Sequence, residues 1–455
     1  MMRLAEIALW TRGRLLGADT AIGGVAIDTR KLQPGDLFVA IRGDRVDGHD
    51  YLADAAARGA AAALVTRRMD TPLAQVLVND TQLALGDLAS AVRAQGDVRV
   101  IGITGSNGKT TVKTLAASIL SRHGRTHVNA GNYNNELGLP LTLLAMPADT
   151  QFAVLEMGAG KPGDIAYLAA IARPDIGLVN TIASAHLERM GSLEGVAETK
   201  GALYQALPAD GVAIINADDA FARFFTGLAG SRRLLRFGLG RGAEVGARIL
   251  EQRVDGSRFV LCTPAGEAEV ELPLAGRHNV ANALAATAIA LALDVPLATI
   301  VEGLEQVPGV AGRLRSETLA GGAVLIDDSY NANPGSVNAA IDTLALAGGE
   351  RWLVLGDMAE LGQNARELHA GIGRYAQAHG IQRLFAVGPL GAAAVEAFGA
   401  GGEHHADKAS LVASLKRQLH GGVTCLVKGS RSAGMEQVVA ALGDHRQGEG
   451  ASDAA

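Results

Sequence analysis

An apolar run, Val100-Ile101-Gly102-Ile103-Thr104, breaks into Gly105-Ser106-Asn107-Gly108 and resumes as Lys109-Thr110-Thr111 in helical spacing to Leu120. A strand that ends in a glycine-punctuated turn and opens a helix is the frame of a phosphate cradle, and it commits the surrounding chain to an α/β layer. Gly105 and Gly108 permit backbone torsions that a Cβ disfavours. The N–H groups of Ser106 to Thr111 are therefore expected to converge on one anion at the positive helix start. Lys109 adds a mobile cation, and the Thr110 hydroxyl is a candidate Mg²⁺ ligand. The strict phosphate-loop pattern has a glycine five positions before Gly108; Ile103 stands there instead, so this loop is a shortened variant.

The chain has 455 residues, 48% of them apolar, which is enough for two or three separate cores. Aromatic residues make up only 4% against 58 glycines, which favours tightly packed α/β layers over an aromatic-rich sandwich. The net charge of -6, with no basic stripe, argues against nucleic acid or a membrane surface as partner. A multiply anionic substrate must then meet local cations. Cys262 and Cys425 are the two cysteines, far apart and without metal spacing, so a disulfide framework or zinc site is not expected. That usage points to reducing cytoplasm. The N-terminus carries Glu6 and is cut by Thr11-Arg12-Gly13-Arg14, so it lacks the continuous apolar run of a signal peptide, and no stretch is long enough to span a bilayer.

Three regions separate on pattern. In the first, residues 1–97, a strand Val25-Ala26-Ile27 leads through Asp28-Thr29-Arg30 and the turn Pro34-Gly35-Asp36 to a strand Leu37–Ile41, then a polar loop with Asp47-Gly48-His49, then an Ala-rich helix. In the second, residues 98–312, strands over Val100–Thr104, Phe152–Leu155, Ile176–Thr181 and Val212–Ile215 alternate with helices, the pattern of a mostly parallel, helix-covered sheet. The third, residues 313–444, repeats the theme with strands at Val324, Trp352, Leu384 and Thr424 and reads as a second, doubly wound sheet. The polar tail 445–455 is expected to be disordered.

Ligands of open α/β sheets collect beyond the carboxyl ends of the strands, so the polar residues placed there are the candidates. Glu156 ends one strand beside the phosphate loop, where it can hold Mg²⁺ or serve as a satisfied strand-end carboxylate. His186 follows the next strand as a metal ligand or a structural histidine. With Ser192 as N-cap, Leu193, Val196, Ala197, Lys200, Tyr204 and Leu207 share one helical stripe until Pro208, which places Lys200 on the buried face. A desolvated amine is nucleophilic toward CO₂ and yields an oxygen-rich carbamate; the alternative is a lysine snorkelling from the stripe edge. Further on, Asn279 and Asn282 begin a helix, where they can cap it or read a base edge. Arg313 lies near a domain junction, from which it can reach phosphates. Asp328 can accept ribose hydroxyls, and Lys428 and Arg431 flank Gly429 at another strand end.

Together these segments resemble the ATP-dependent Mur ligases of bacterial cell-wall synthesis. The carriers are Thr104–Thr111, Gly131-Asn132-Tyr133-Asn134-Asn135-Glu136-Leu137-Gly138, Leu155-Glu156-Met157-Gly158, Ala185-His186-Leu187-Glu188, Lys200-Gly201, His278–Ala283, Asp328-Ser329-Tyr330-Asn331-Ala332-Asn333-Pro334, Leu355–Gly362 and Lys428-Gly429-Ser430-Arg431. The shortened phosphate loop is the family's own version. Ser-Tyr-Asn-Ala-Asn-Pro and Gly-Asp-Met-Ala-Glu-Leu-Gly look like the branch that adds D-alanyl-D-alanine, and the Asp-Asn-Pro-Arg signature of diaminopimelate-adding ligases is absent.

The resemblance implies a cytoplasmic, monomeric three-domain ligase using ATP, two Mg²⁺ ions and a carbamylated Lys200 to join D-Ala-D-Ala to UDP-N-acetylmuramoyl-tripeptide. It implies that the first region binds the UDP-sugar end through Asp28, Thr29, Arg30, Asp47 and His49, with Asn134 and Asn135 also facing substrate. Lys109 and the loop amides would hold the β/γ-phosphates, Thr110 and Glu156 one Mg²⁺, His186 and Lys200 the other. Asn279 and Asn282 would approach adenine, Asp328 the ribose, Arg313 the phosphates, and Lys428 and Arg431 substrate carboxylates. Competing expectations are another ligase of the same superfamily, of folylpolyglutamate-synthase type or adding a different amino acid, and a binding protein that uses ATP as a switch without making a bond.

Overall fold

The computed structural model describes residues 2–183, 187–309 and 312–443, Leu187 for its backbone alone. His186 and the tail 445–455 lie outside the described residues. Three α/β layers follow one another along the chain. In the first, strands run in the order Arg14–Leu16, Ala74–Leu77, Ala62–Val65, Leu37–Val39, Val25–Ala26, parallel except for the first pair. The Ala-rich run expected to be one helix is split: Leu52–Ala57 is helical, Gly59 takes φ +87, and Ala62–Val65 becomes a buried strand. Alanine's helix preference gives way there because a left-handed glycine ends the turn and the sheet buries the small side chains that follow.

The second layer is a fully parallel six-stranded sheet ordered Arg233–Phe237, Val212–Asn216, Ile176–Val179, Arg99–Thr104, Phe152–Glu156, Thr126–Val128. The chain passes to opposite sides of Arg99–Thr104 after it, which makes that strand's carboxyl end the topological switch point where such sheets take ligands. Helices Lys109–Leu120 and Arg277–Ala292 cover one face, burying Val112, Leu115, Ile119, Val280, Leu284 and Ile289 against Ile101, Ile103 and Ile214. A three-stranded antiparallel sheet, Gly246–Gln252, Ser257–Thr263 and Gly266–Leu272, extends this core through Phe259, Leu261 and Val270. It was not among the sequence expectations.

The third layer has six strands: Arg315–Thr318, Val324–Asp328, Val423–Lys428, Glu350–Gly356, Arg383–Val387 and Gly402–His405, parallel but for the antiparallel first edge. Apolar side chains pack on both of its faces, as a doubly wound sheet requires. Among the described residues no helix is long and apolar enough to cross a membrane, and Cys262 and Cys425 are both free.

Candidate active site

Gly108 caps the helix Lys109–Leu120 in the left-handed region, φ 79, and a Cβ there would collide with Asn180 Nδ2 and Asn282 Oδ1. Glycine is thus required by torsion and by space together. Val112 N–H to Gly108 O, 2.8 Å, is the helix's first bond, which leaves the N–H groups from Gly108 to Thr111 directed out of the helix start. The N–H groups left free to meet an anion span fewer residues than the expected Ser106-to-Thr111 run. Ser106 N–H already donates to Thr181 O at 2.7 Å, and Asn107 N–H to Thr181 Oγ1 at 3.3 Å. Those two bonds staple the loop to the neighbouring strand end.

Lys109 arches back so that its Nζ donates to Gly105 O at 2.8 Å. Burial pushes its ammonium below the usual range, with Glu156 opposing. Thr110 Oγ1 donates to Glu156 Oε2 at 2.8 Å and accepts from Arg313 Nη2 at 3.0 Å. A carboxylate from one strand end, a hydroxyl from the helix start and a guanidinium from the third layer therefore meet at one atom. Burial works to raise Glu156, but Lys109 and Lys113, with the hydrogen bonds from Thr110 and Asn134, together hold the carboxyl below its usual range.

Lys113 was not anticipated. Only 5% exposed, it reaches Asn129 O at 3.1 Å, Gly131 O at 3.3 Å and Glu156 Oε2 at 3.5 Å. Its spacing of four from Lys109, on the same helix face, was the available signal. The loop it holds carries Asn134, whose Nδ2 donates to Glu156 Oε1 at 2.8 Å, and Tyr133, whose hydroxyl accepts from Lys31 Nζ of the first layer at 2.7 Å. Asn135 Oδ1 accepts from Gly138 N–H at 2.9 Å, at the start of the helix Gly138–Leu144.

Buried asparagines knit the loop to its surroundings. Asn180 Nδ2 donates to Asn107 O and to Asn282 Oδ1, and Asn282 Nδ2 to Asn279 Oδ1. Asn279 Nδ2 donates to Ala275 O, and Asn333 Nδ2, from the third layer, to Asn107 Oδ1 at 2.7 Å. The Asn279 and Asn282 amides are thus engaged with each other and with the loop. Beside them His278 lines the cleft, and burial first and Lys428 second lower its pKa to about 4.

Asp328 and Lys428, expected separately at ribose and at substrate carboxylates, pair with one another: Lys428 Nζ lies 2.5 Å from Asp328 Oδ2 and donates to Asn331 O at 3.0 Å. Burial pushes the Asp328 carboxyl up while Lys428 pulls against it. Arg431 is exposed, 3.6 Å from Glu436 and over the Tyr330 ring. Lys200 is 1% exposed on the inner face of the helix Leu193–Gln205, whose N-cap is Ser192 and whose Tyr204 hydroxyl donates to Ile214 O at 2.7 Å. Burial first, then the Lys109 charge, lowers the Lys200 pKa to about 7.

A cleft of about 730 Å³ lies between the second and third layers, lined by Ser106 to Thr111, Asn134, Asn135, Glu156, Asn279, Asn282, Arg313, Asp328 and Lys428 among others, whereas Lys200 and Arg431 do not line it. The first-layer candidates do not line it. Asp28 caps a short helical turn, Thr29–Lys31, and pairs with Arg30 at 2.7 Å, which holds its carboxyl at about 2. Asp47 accepts from the His49 backbone and lies 2.6 Å from His49 Nδ1, while Thr66 N–H donates to His49 Nε2 at 3.0 Å. Thr29 is buried in the same layer.

Comparison with known proteins completes the picture. Residues 103–290 match the Mur ligase middle domain, 312–431 the Mur ligase glutamate ligase domain, and 21–93 the Mur ligase family catalytic domain. The chain belongs to the Mur ligase family. This Mur ligase is 46% identical to the UDP-N-acetylmuramoyl-tripeptide–D-alanyl-D-alanine ligase of Escherichia coli, over 96% of this chain and 98% of that one. Its structure is similar to a crystal structure of MurF from Acinetobacter baumannii, with TM-score 0.91, 37% identity, and 96% and 98% of the two chains covered. It also resembles the MurF ligase of Thermotoga maritima in complex with ADP, with TM-score 0.83, 27% identity, and 92% and 96% covered.

Proposed function

We propose that this Mur ligase joins D-alanyl-D-alanine to UDP-N-acetylmuramoyl-tripeptide, with ATP converted to ADP and phosphate, in the synthesis of a peptidoglycan precursor. The observation that carries the chemistry is the meeting at Thr110 of Glu156, Arg313 and a helix start that presents unpaired N–H groups. The acceptor pair follows from the name borne by the 46% identical relative. In this reading residues 1–97 hold the UDP-sugar end, 98–312 the ATP, and 313–444 close over the nucleotide and bring the dipeptide. A single chain in the cytoplasm suffices for it.

A carboxylate is a poor electrophile for amide formation in water, so it must be activated. The γ-phosphoryl passes to the terminal carboxylate of the tripeptide, where a new P–O bond forms as the β–γ bridge breaks and ADP leaves. Lys109, Arg313 and the N–H groups from Gly108 to Thr111 offset the repulsion between the two anions. The dipeptide amine attacks the acyl phosphate, the C–N bond forms, a proton is lost, and phosphate departs from the tetrahedral intermediate. Closure of the cleft between the second and third layers keeps water from the mixed anhydride.

Mg²⁺ fits Thr110 and Glu156, two hard oxygen donors 2.8 Å apart at the phosphate end of the cleft. Among the described residues no group of three or more His, Cys, Asp or Glu side chains could hold a metal by itself, so phosphate oxygens would complete the shell, as is usual for this ion. When bound, the ion supplies charge neutralisation for the phosphate oxygens. Lys200, with His186, is the proposed holder of a second ion. Its buried, partly neutral amine adds to CO₂ with loss of a proton, and the carbamate so formed replaces a cation that the Lys109 charge disfavours with an anion.

The test is mass analysis of products from ATP, D-Ala-D-Ala and UDP-tripeptides carrying diaminopimelate or lysine at the third residue. The expected result is a UDP-pentapeptide, with ADP and phosphate released only when both acceptors are present. ATP turnover that ignores the two acceptors would instead identify a nucleotide switch.

A further inference from the structure

Arg313 enters the cleft from a short connection with little secondary structure of its own. Gly312 before it has φ +72 and Leu314 after it φ +51, so the backbone here is held by neighbours rather than by a helix or ladder. Those neighbours belong to the carboxyl end of the strand Val324–Asp328 and to the turn that follows it. Tyr330 N–H donates to Gly312 O at 3.2 Å, and Gly312 N–H donates to Asp327 Oδ2 at 3.2 Å. A Cβ at residue 312 would come within 3.1 Å of Tyr330 Cβ, tighter than ordinary contact. The tyrosine ring then lies under the guanidinium, with Arg313 Cζ 4.5 Å from its centroid, while Arg313 Nη2 donates to Thr110 Oγ1 at 3.0 Å. Arg431 adds a second cation 5.7 Å from the same centroid.

We infer that Tyr330 is a positioning residue: its ring face orients the Arg313 guanidinium toward the phosphate end of the cleft. The guanidinium is planar and weakly hydrated, so an aromatic face restrains it without competing for its N–H donors, and these remain available for a triphosphate. A hydrogen-bonding partner in the same place would consume donors that the substrate needs. The tyrosine hydroxyl has no part in this, so a phenyl ring serves as well.

The inference rests on the reading of Arg313 as a phosphate-facing cation, and the experiment separates the two. Ligation is measured with ATP varied for the wild type, Tyr330→Phe, Tyr330→Leu, Arg313→Ala and the Tyr330→Leu/Arg313→Ala double variant. Tyr330→Leu is expected to lower kcat/KM for ATP about tenfold, the size of a partly desolvated cation–π contact. Tyr330→Phe is expected to stay within about twofold of wild type. The KM for the UDP-tripeptide should not move in either. In the Arg313→Ala background, Tyr330→Leu should cost nothing further. Full additivity in the double variant, or equal losses in Tyr330→Phe and Tyr330→Leu, overturns the role of the ring. Wild-type kinetics in Arg313→Ala overturns the underlying reading of Arg313 instead. A series of progressively fluorinated phenylalanines at residue 330 keeps the shape of the side chain and so avoids loss of the fold. A steady fall in kcat/KM for ATP with fluorination is expected, and a flat series refutes the inference.

Discussion

Asn333 donates its side-chain N–H to Asn107 Oδ1 at 2.7 Å, although 226 positions separate the two residues. The same asparagine caps the helix Pro334–Leu344, its Oδ1 accepting from Ser336 N–H at 2.9 Å. One side chain therefore starts a helix of the third layer and touches the Gly105–Gly108 turn of the second. Serine at this position keeps the cap but is too short to reach Asn107; alanine loses both. Asn333→Ser is expected to hold stability within about 0.5 kcal/mol while slowing ligation several-fold, and Asn333→Ala to cost about 1 kcal/mol as well. Urea unfolding and a ligation assay on both variants check this. A slow but stable Asn333→Ser assigns the loss to the link between the layers.

Lys113 binds two carbonyls and approaches Glu156 from within the core. Methionine fills the space but leaves Asn129 O, Gly131 O and one side of the carboxylate without their cation. Lys113→Met is therefore expected to lose about 3 kcal/mol in urea unfolding. A loss below about 0.5 kcal/mol, the level of ordinary surface substitutions, would show that the carboxylate does not depend on it.

His278 contributes a pH dependence whose sign follows from its pKa, about 4 in the folded chain against 6.5 for the free side chain. Between those values the unfolded state holds a proton that the folded state lacks, so stability falls as pH drops from 6.5 through 4. Lys428 and Asp342 are the charges acting on this ring, the lysine lowering and the aspartate raising its pKa. Replacing the histidine with glutamine removes the titration. The difference between wild type and His278→Gln over this range is expected to be on the order of 2 kcal/mol, read from urea midpoints at stepped pH.

Lys200→Ala removes both the buried amine and the carbamate proposed to form on it. Ligation is expected to fall about 100-fold, the scale of a disturbed metal-site environment, with part of the rate returning when acetate is added as a small carboxylate. Undiminished ligation, indifferent to acetate and bicarbonate, would rule the carbamate out. Unfolding of the variant runs in parallel, since filling a lysine-shaped space with alanine also leaves a cavity.

Much of the fold was legible because its determinants are local. The run from Val100 to Leu120 carries its own strand, turn and helix start, and the pattern of apolar residues around Lys200 puts that lysine on the apolar stripe of its helix, leaving burial or snorkelling from the edge to the packing. Ser192 announces the helix boundary in the same way, its Oγ accepting from Gly195 N–H. The antiparallel sheet Gly246–Leu272 escaped because its strands, exposed on one face and rich in charged residues, carry a weaker apolar signal than buried parallel ones.

The amino-acid order alone determined that a glycine-lined turn would face a helix start, that parallel layers would follow it, and that Glu156 and Lys200 would stand near strand ends or on buried faces. Backbone torsion and side-chain periodicity decide such things within a dozen residues. Only the tertiary structure decided that Thr181 takes the Ser106 N–H, that Asn282 faces Asn180, that Asp328 meets Lys428, and that Tyr330 lies under Arg313. Each of those pairings depends on where two distant stretches of chain come to rest, and a hydrogen bond or ring contact, working over a few ångströms, leaves no trace in local spacing.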